Sequence, residues 1–495
     1  MTPAIKHSGA SSPSNNWSSI NWKRVEFGVR RLQMRIAKSA RAKRWGKVQA
    51  LQHLLTRSHQ AKLLAVKRVT ENQGRNTPGI DGIVWINTKQ KWEAAKALSC
   101  RNYRSQPLRR VYIPKKNGKK RPLGIPTMFD RAMQALFLLA YEPVAEVTAD
   151  HHSYGFRPKR SAADAIEKCF NVLAQKTSAQ WILEGDIKGC FDNISHTWLH
   201  QHLKLEQKVL NQWLKAGFMD KGRLFPTTAG TPQGGIISPC LSNGALDGME
   251  AMLKSITKPI QKVHLIRYAD DFVITANSKE LLENTIKPAV MAFLFERGLT
   301  LSKEKTLITS ITKGFDFLGF NVRKYGQKLL IKPSNSSIKS FLESIRLEIK
   351  KGISTPVARL LSSINRKIVG WANYYRHVVA KKVFDNVDSA IFHILHRMIK
   401  RKHPKKSAAW LYRKYYTHRG MRQWMFIAPY TTNHGEKRIV WLKKAADIPI
   451  RRHRQVISVA TPYDAEWFDY FDKRAKKMSY LEQAVGSNAF GLMRV

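Results

Sequence analysis

The sequence predicts an α+β fold in which an antiparallel sheet carrying acids is followed by a helical region. Val263–Tyr268 and Phe272–Thr275 are β-rich runs flanking a tight turn, the pattern of a hairpin with Asp270 and Asp271 at its tip. Trp181-Ile-Leu-Glu-Gly-Asp-Ile reads as a buried strand that delivers Asp186 at its end. Past Lys332 the apolar spacing becomes helical. Ile338, Phe341, Ile345 and Ile349 share one stripe, Leu361, Ile364, Ile368, Trp371 and Tyr375 a second, and Phe384, Val387, Ile391, Leu395 and Met398 a third. Three helices, each with one apolar face, predict a small bundle.

Taken in order, Ser8–Ser19 is low in complexity and rich in Ser, and residues 1–20 read as a disordered leader. A basic helical extension is expected over 21–84. Its first helix places Val25, Val29, Leu32 and Ile36 on one stripe with Arg30, Arg31, Arg35, Lys38 and Arg41 around it, either an ordinary solvated face or, in so basic a chain, one that meets phosphates. Asn72–Gly82, with three Gly and one Pro, is a loop of specific turn geometry. Arg109–Lys115 and Lys119–Pro126 read as two strands around Asn117-Gly118, a strong hairpin signal. Lys115 and Arg121 stand on its opposite arms, where they could clamp one anionic group. Residues 130–146 and 162–173 are expected as helices, with the basic loop Ser153–Ser161 between them. Gly189–Ile194 turns away from Asp186 and puts Phe191 five residues after it. Ala229–Pro239 is a Gly/Pro-rich turn entering a helix, a setting that serves either a phosphate, on which backbone N–H groups can converge, or plain packing. A helix over 280–297, a strand over 303–308 and the aromatic turn Phe315–Phe320 follow. The region 85–330 is expected as one sheet-bearing unit, 331–420 as the bundle and 421–495 as a small nucleic-acid-binding segment mixing aromatics with bases.

The bulk numbers narrow the function. The 86 Lys and Arg against 35 Asp and Glu give a net charge of +51, which calls for a polyanionic partner. The four cysteines are widely spaced with no Cys-x-x-Cys, so neither a disulfide framework nor a zinc site is expected. His393 and His396 lie one turn apart and, with no third ligand in view, are taken as ordinary surface or core residues. No apolar run is long enough to span a membrane. Within so basic a chain, a strand-end Asp and an Asp pair on a hairpin supply the hard oxygen donors that Mg²⁺ prefers. They suffice for a two-metal site of in-line phosphoryl chemistry.

These stretches together resemble the reverse transcriptases encoded by group II introns, also called intron maturases. The resemblance runs in order through Thr77–Gly82, Arg109–Pro126, Ser153–Ser161, Glu184–Ile194, Gly230–Asn243, Tyr268–Asp271, Gly298–Thr306 and Phe317–Phe320, and then through Gly370-Trp-Ala-Asn-Tyr-Tyr-Arg-His. It implies a right-hand polymerase fold with fingers and palm over 85–330, a helical thumb or maturase domain over 331–420 and a DNA-binding segment over 421–495. It implies that Asp186, Asp270 and Asp271 hold two Mg²⁺ ions. Lys115 and Arg121 would grip the triphosphate, Phe191 would exclude a ribose 2′-hydroxyl, Gln233 would line the nucleotide pocket, and Phe317, Leu318, Gly319 and Phe320 would support the primer end. The implied partners are structured intron RNA, a DNA target and primer, and dNTPs, with no membrane and with a homodimer left open. No Cys follows Cys240, so the endonuclease of many relatives is expected to be missing. A bacterial, nucleoid-associated cytoplasmic protein is the expected setting. The rival readings are an RNA-binding splicing factor with little polymerase activity, an RNA-templated RNA polymerase, against which Phe191 argues, and a reverse transcriptase recruited to host defence.

Overall fold

The computed structural model describes residues 16–114, 118, 120–420, 422–432 and 434–476. Asn21 opens α1 (Trp22–Arg41), its side chain accepting from the Arg24 N–H at 3.1 Å. Val25, Val29 and Ile36 face inward as the spacing predicts. Helices α2 (Trp45–Arg57), α3 (His59–Glu71) and α4 (Thr88–Ala97) follow. The loop after α3 has fixed geometry. Arg109 donates to the Pro78 carbonyl at 2.8 Å, and a Cβ on Gly79 would meet Thr127 Cα at 2.5 Å.

Strands β1 (Leu108–Pro114) and β2 (Lys120–Ile125) pair antiparallel. Thr127 then caps α5 (Met128–Thr148), a helix buried nearly all round, against which α1, α2 and α3 pack. Next come α6 (Ala162–Leu173), β3 (Trp181–Asp186), and the short helices α7 (Cys190–Asn193), α8 (His196–His202) and α9 (Gln207–Leu214). Strands β4 (Phe218–Asp220) and β5 (Arg223–Phe225) return to β1 and complete a sheet of order β2-β1-β4-β5. After α10 (Ser238–Leu246) and α11 (Met249–Ile256) come β6 (His264–Tyr268) and β7 (Asp271–Ala276).

The helix expected over 280–297 is interrupted: α12 (Lys279–Leu281) and α13 (Lys287–Phe295) are joined by a π turn at Leu282–Ile286. The following strand, β8 (Leu307–Ser310), begins later than the sequence suggests. Residues 302–306 instead make a turn, because the Ser302 N–H bonds the Asp186 carbonyl at 2.8 Å and the Thr306 N–H bonds Ser302 at 2.9 Å.

The second sheet, β6-β7-β3-β8, is wholly antiparallel. Its strands alternate between two cores. Leu183, Leu265, Phe272 and Ile274 join the cluster built on α5, whereas Ile182, Ile266 and Val273 join the cluster shared with the C-terminal helices. Burial on both faces gives the sheet a rigid setting for what its strand ends carry.

Strands β9 (Phe315–Phe317), β10 (Phe320–Tyr325) and β11 (Lys328–Pro333) lead into α14 (Asn335–Lys351), α15 (Val357–Tyr375) and α16 (Lys381–Lys402). The three predicted stripes form the inner faces of these helices. Helix α17 (Ala408–Tyr415) and strands β12 (Tyr416–Arg419), β13 (Arg422–Thr431) and β14 (Lys437–Trp441) follow. The last described stretch, 449–476, runs back over the body as a strap. Arg160 bonds the Ser458 carbonyl at 2.9 Å, Arg41 pairs with Asp464 at 2.7 Å, and the Arg30 guanidinium lies 3.8 Å from the centre of the Phe468 ring. Among the described residues no helix is long and apolar enough to cross a membrane.

Candidate active site

Asp186 ends β3 and Asp271 begins β7, and the two are register partners on neighbouring strands. Asp270 lies in the two-residue loop between β6 and β7, after Ala269 at φ +58°. Close backbone passage shapes this corner. A Cβ on Gly155 would meet the Ala269 nitrogen at 2.4 Å, and one on Gly185 would meet the Phe272 ring at 2.2 Å. The three acids gather because a central strand ends where its neighbour begins.

Their electrostatics are unfavourable as they stand. The surrounding protein strips water from Asp271, although part of it stays open to solvent. Together with the charges of Asp270 and Asp186 and a hydrogen bond shared with Asp186, this pushes its carboxyl up to about 6. Asp270 is also raised, first by lost hydration and then by Asp186, while Arg121 and Lys305 draw it back down. Lys305 Nζ lies 3.1 and 3.0 Å from the two Asp186 oxygens. The sequence did not single out Lys305. The 302–306 turn hung on the end of β3 brings it there from 119 positions away.

The donor set suits a divalent cation: three carboxylates, two of them short of counter-charge, with an ammonium group already on the third. Among the described residues no three His, Cys, Asp or Glu side chains yet converge tightly enough to enclose an ion. In this arrangement Asp186 is held by Lys305.

Beneath the hairpin lies a polar network that sequence reasoning missed. Arg267 is fully buried and donates to Asn243 at 3.1 Å, to the Ala269 carbonyl at 3.4 Å and to Asp247. Arg157 forks onto Glu146 at 2.7 and 2.9 Å. Burial pushes Asp247 up to about 7 against the pull of Arg267. Arg157 and Arg160 of the basic loop Ser153–Ser161 are thus tied to protein groups. Only the interruption of an apolar strand by Arg267 hinted at this.

The remaining expected residues fall as follows. Lys115 lies outside the described residues. Arg121 is exposed on β2, opposite Ile113. Phe191 and Gln233 line one cavity of about 390 Å³ together with Arg110 and Pro122. Phe156, exposed at φ +59°, sets its ring edge against Phe191 with centroids 6.2 Å apart. Gln233 Nε2 reaches Asp192 at 3.4 Å. The Gly-rich turn is no ready phosphate cradle. The Gly230 N–H bonds Ile194, the Thr231 N–H bonds Phe191, and Cβ atoms on Gly230 and Gly234 would strike the backbone of Phe191 and Gly124. Its glycines serve close backbone packing.

Phe317 and Phe320 bury their rings in the core, so Leu318 (φ +52°) and the backbone are what this turn presents. Tyr374 and Tyr375 of α15 donate to the Leu318 and Gly319 carbonyls at 3.0 and 3.2 Å. Arg30, Arg31, Arg35, Lys38 and Arg41 are all exposed, and two of them meet the strap. His396 bonds the Tyr416 hydroxyl at 3.1 Å.

Residues 113–322 match the family model for reverse transcriptase (RNA-dependent DNA polymerase), 17–98 the N-terminal domain of reverse transcriptase, and 338–416 the group II intron maturase-specific domain. Protein YkfC of Escherichia coli (strain K12) is 32% identical over 333 residues, covering 57% of this chain and 86% of that protein. Group II intron-encoded protein LtrA of Lactococcus lactis subsp. cremoris is 29% identical over 409 residues, covering 63% and 68%. Maturase-like protein 1 of Euglena longa is 25% identical over 380 residues, covering 74% and 78%.

Proposed function

This chain belongs to the reverse transcriptases encoded by group II introns, and we propose that its polymerase centre is the meeting point of Asp186, Asp270 and Asp271. It is an RNA-directed DNA polymerase that also serves intron splicing and mobility. The observation that carries the site assignment is the pairing of Asp186 with Asp271 across adjacent strands, with Asp270 on the turn beside them.

Asp186 and Asp270 would hold two Mg²⁺ ions, with Asp271 alongside. When bound, the ions supply a lowered pKa at the primer 3′-hydroxyl and neutralise charge on the triphosphate and the departing pyrophosphate. The chain's own residues do the positioning. Arg121, with Lys115, binds the triphosphate from the β1–β2 hairpin. Phe191, backed by Phe156, fills the space a ribose 2′-hydroxyl would need. Gln233 lines the same cavity and is steadied by Asp192. The Leu318–Gly319 turn, pinned by Tyr374 and Tyr375, meets the primer end. The buried Arg267 network holds the Asp270 turn in place and touches no substrate. Residues 85–330 act as fingers and palm, 331–420 as the thumb and 421–495 as the DNA-binding segment, with structured intron RNA and a DNA target as macromolecular partners.

The deciding experiment replaces Asp270 and Asp271 with Ala in one chain. The reading predicts that cDNA synthesis is lost while assistance to intron splicing remains. Retained cDNA synthesis would refute the site assignment, and loss of both at normal folding would refute separate roles. Comparing dNTP with rNTP incorporation by Phe191→Ala tests the sugar filter, since the variant should admit ribonucleotides.

A further inference from the structure

From Ser389 to Gly435 the chain contains no Asp or Glu but ten Lys and Arg, interleaved with Phe, Tyr, Trp and His. The fold turns part of this stretch into a continuous run of rings on α16, α17 and the β12–β13 hairpin. Phe392 and His396 are stacked, with centroids 6.2 Å apart at 9°. His396 continues onto Tyr412 at 5.8 Å, and Tyr412 meets Trp424 at 4.3 Å. Tyr416 and Phe426 lie behind this run and are buried, so they supply its core support.

Trp424 does not behave as a core residue. It is 49% exposed and its backbone has φ +60°, a conformation that is an outlier for a bulky side chain. The cause is in the pairing. Thr417 faces Met425 and Arg419 faces Arg422, so Gln423 and Trp424 together oppose His418 alone. That is a β-bulge, a device that re-aims a side chain out of the regular pleat. Strain of this kind at an exposed tryptophan points to a use outside the fold. Lys400, one turn beyond His396 and near enough to act on its charge, and Arg413, next in sequence to Tyr412, are both exposed.

We propose that this aromatic shelf stacks unpaired bases of a single-stranded nucleic acid, whose phosphates are met by the surrounding Lys and Arg. Aromatic faces accept any base, but only bases freed from a duplex can reach them, and the acid-free setting supplies the complementary charge. The shelf is separate from the carboxylate centre, and the inference stands or falls independently of the polymerase reading.

The test measures binding of the full-length chain at fixed salt to short end-labelled oligothymidylate, to oligouridylate and to a blunt hairpin duplex of matching charge. Trp424→Ala should weaken binding of one or both single strands by about tenfold, the loss of one stacked base, and leave the duplex within about twofold. Trp424→Phe should restore the single-strand affinity. The strand that loses more identifies DNA or RNA as the occupant. A photoreactive 5-iodouracil strand should crosslink to Trp424 or Tyr412 in the parent chain. Unchanged affinity for both strands, or an equal loss on the duplex, would overturn the proposal. So would binding of poly-glutamate that falls by the same factor in Trp424→Ala, since that would mark a protein-docking face instead.

Discussion

Two groups of acids lie close together around the β6–β7 hairpin, and the protein treats them oppositely. Below it, Glu146 and Asp247 are met by Arg157 and Arg267, and Asn243 accepts a further N–H of Arg267. In the first turn of α6, the buried Asp164 is likewise answered by His453 and Arg474 at 2.8 Å each. Burial works against the Asp164 charge, yet its partners outweigh that and hold its carboxyl below the ordinary range. At the tip, Asp270 and Asp271 face Asp186 with too little positive charge among them, and both are raised; burial raises Asp247 as well, but there Arg267 pairs with it. Partnered acids hold the fold. Under-partnered acids are the ones that the proposed cations would relieve.

The contrast can be broken at several points. Asp270→Ala with Asp271→Ala should cut cDNA synthesis by roughly a thousandfold or more, the scale of losing a reaction's main electrostatic support. It should not lower the thermal midpoint measured without divalent ions, because it removes repulsion. Arg267→Met should do the reverse. Stranding Asp247 and freeing the Ala269 carbonyl should cost about 3–5 kcal/mol in denaturant unfolding, and activity should fall less than in the double Ala variant because the Asp270 turn is loosened but keeps its carboxylates. Arg474→Ala removes one of several partners of Asp164 and should cost about 1–2 kcal/mol, seen as faster proteolysis of the 449–476 strap. Lys305 is 65% exposed, so Lys305→Met should change stability by less than about 1 kcal/mol.

The pH dependence follows from Asp271. Its folded value of about 6 lies above the unfolded value of about 4. The folded chain therefore binds this proton more tightly, and its contribution to stability falls as pH rises from about 4 to about 6 and then levels off. Divalent cations should raise the melting temperature at pH 7 in the parent chain and have no such effect in the double Ala variant.

Much of this was legible in the sequence because it depends on local spacing. The β6 and β7 runs around Asp270, the strand that ends at Asp186, and the three stripes of α14, α15 and α16 all follow from periods of two or of about three and a half residues. What was not legible depends on partners far along the chain. Arg474 meets Asp164 across 310 positions, Lys305 meets Asp186 across 119, and His152 meets Glu250 across 98. No periodicity encodes such meetings. The bulge at Trp424 was hidden for a similar reason, since it exists only in the register of two strands. The Gly-rich turn before α10 left two readings open in the sequence, because glycine suits close backbone packing as well as anion binding, and the fold uses the first.

The most direct test of the central claim is anomalous scattering from Mn²⁺ in crystals of the chain with an RNA template, a DNA primer and an incoming dNTP. The account predicts manganese peaks within about 2.2 Å of carboxylate oxygens of Asp186 and Asp270, with Lys305 displaced from Asp186. Manganese bound elsewhere, with Lys305 still paired to Asp186 and the primer end remote from the hairpin, would contradict it.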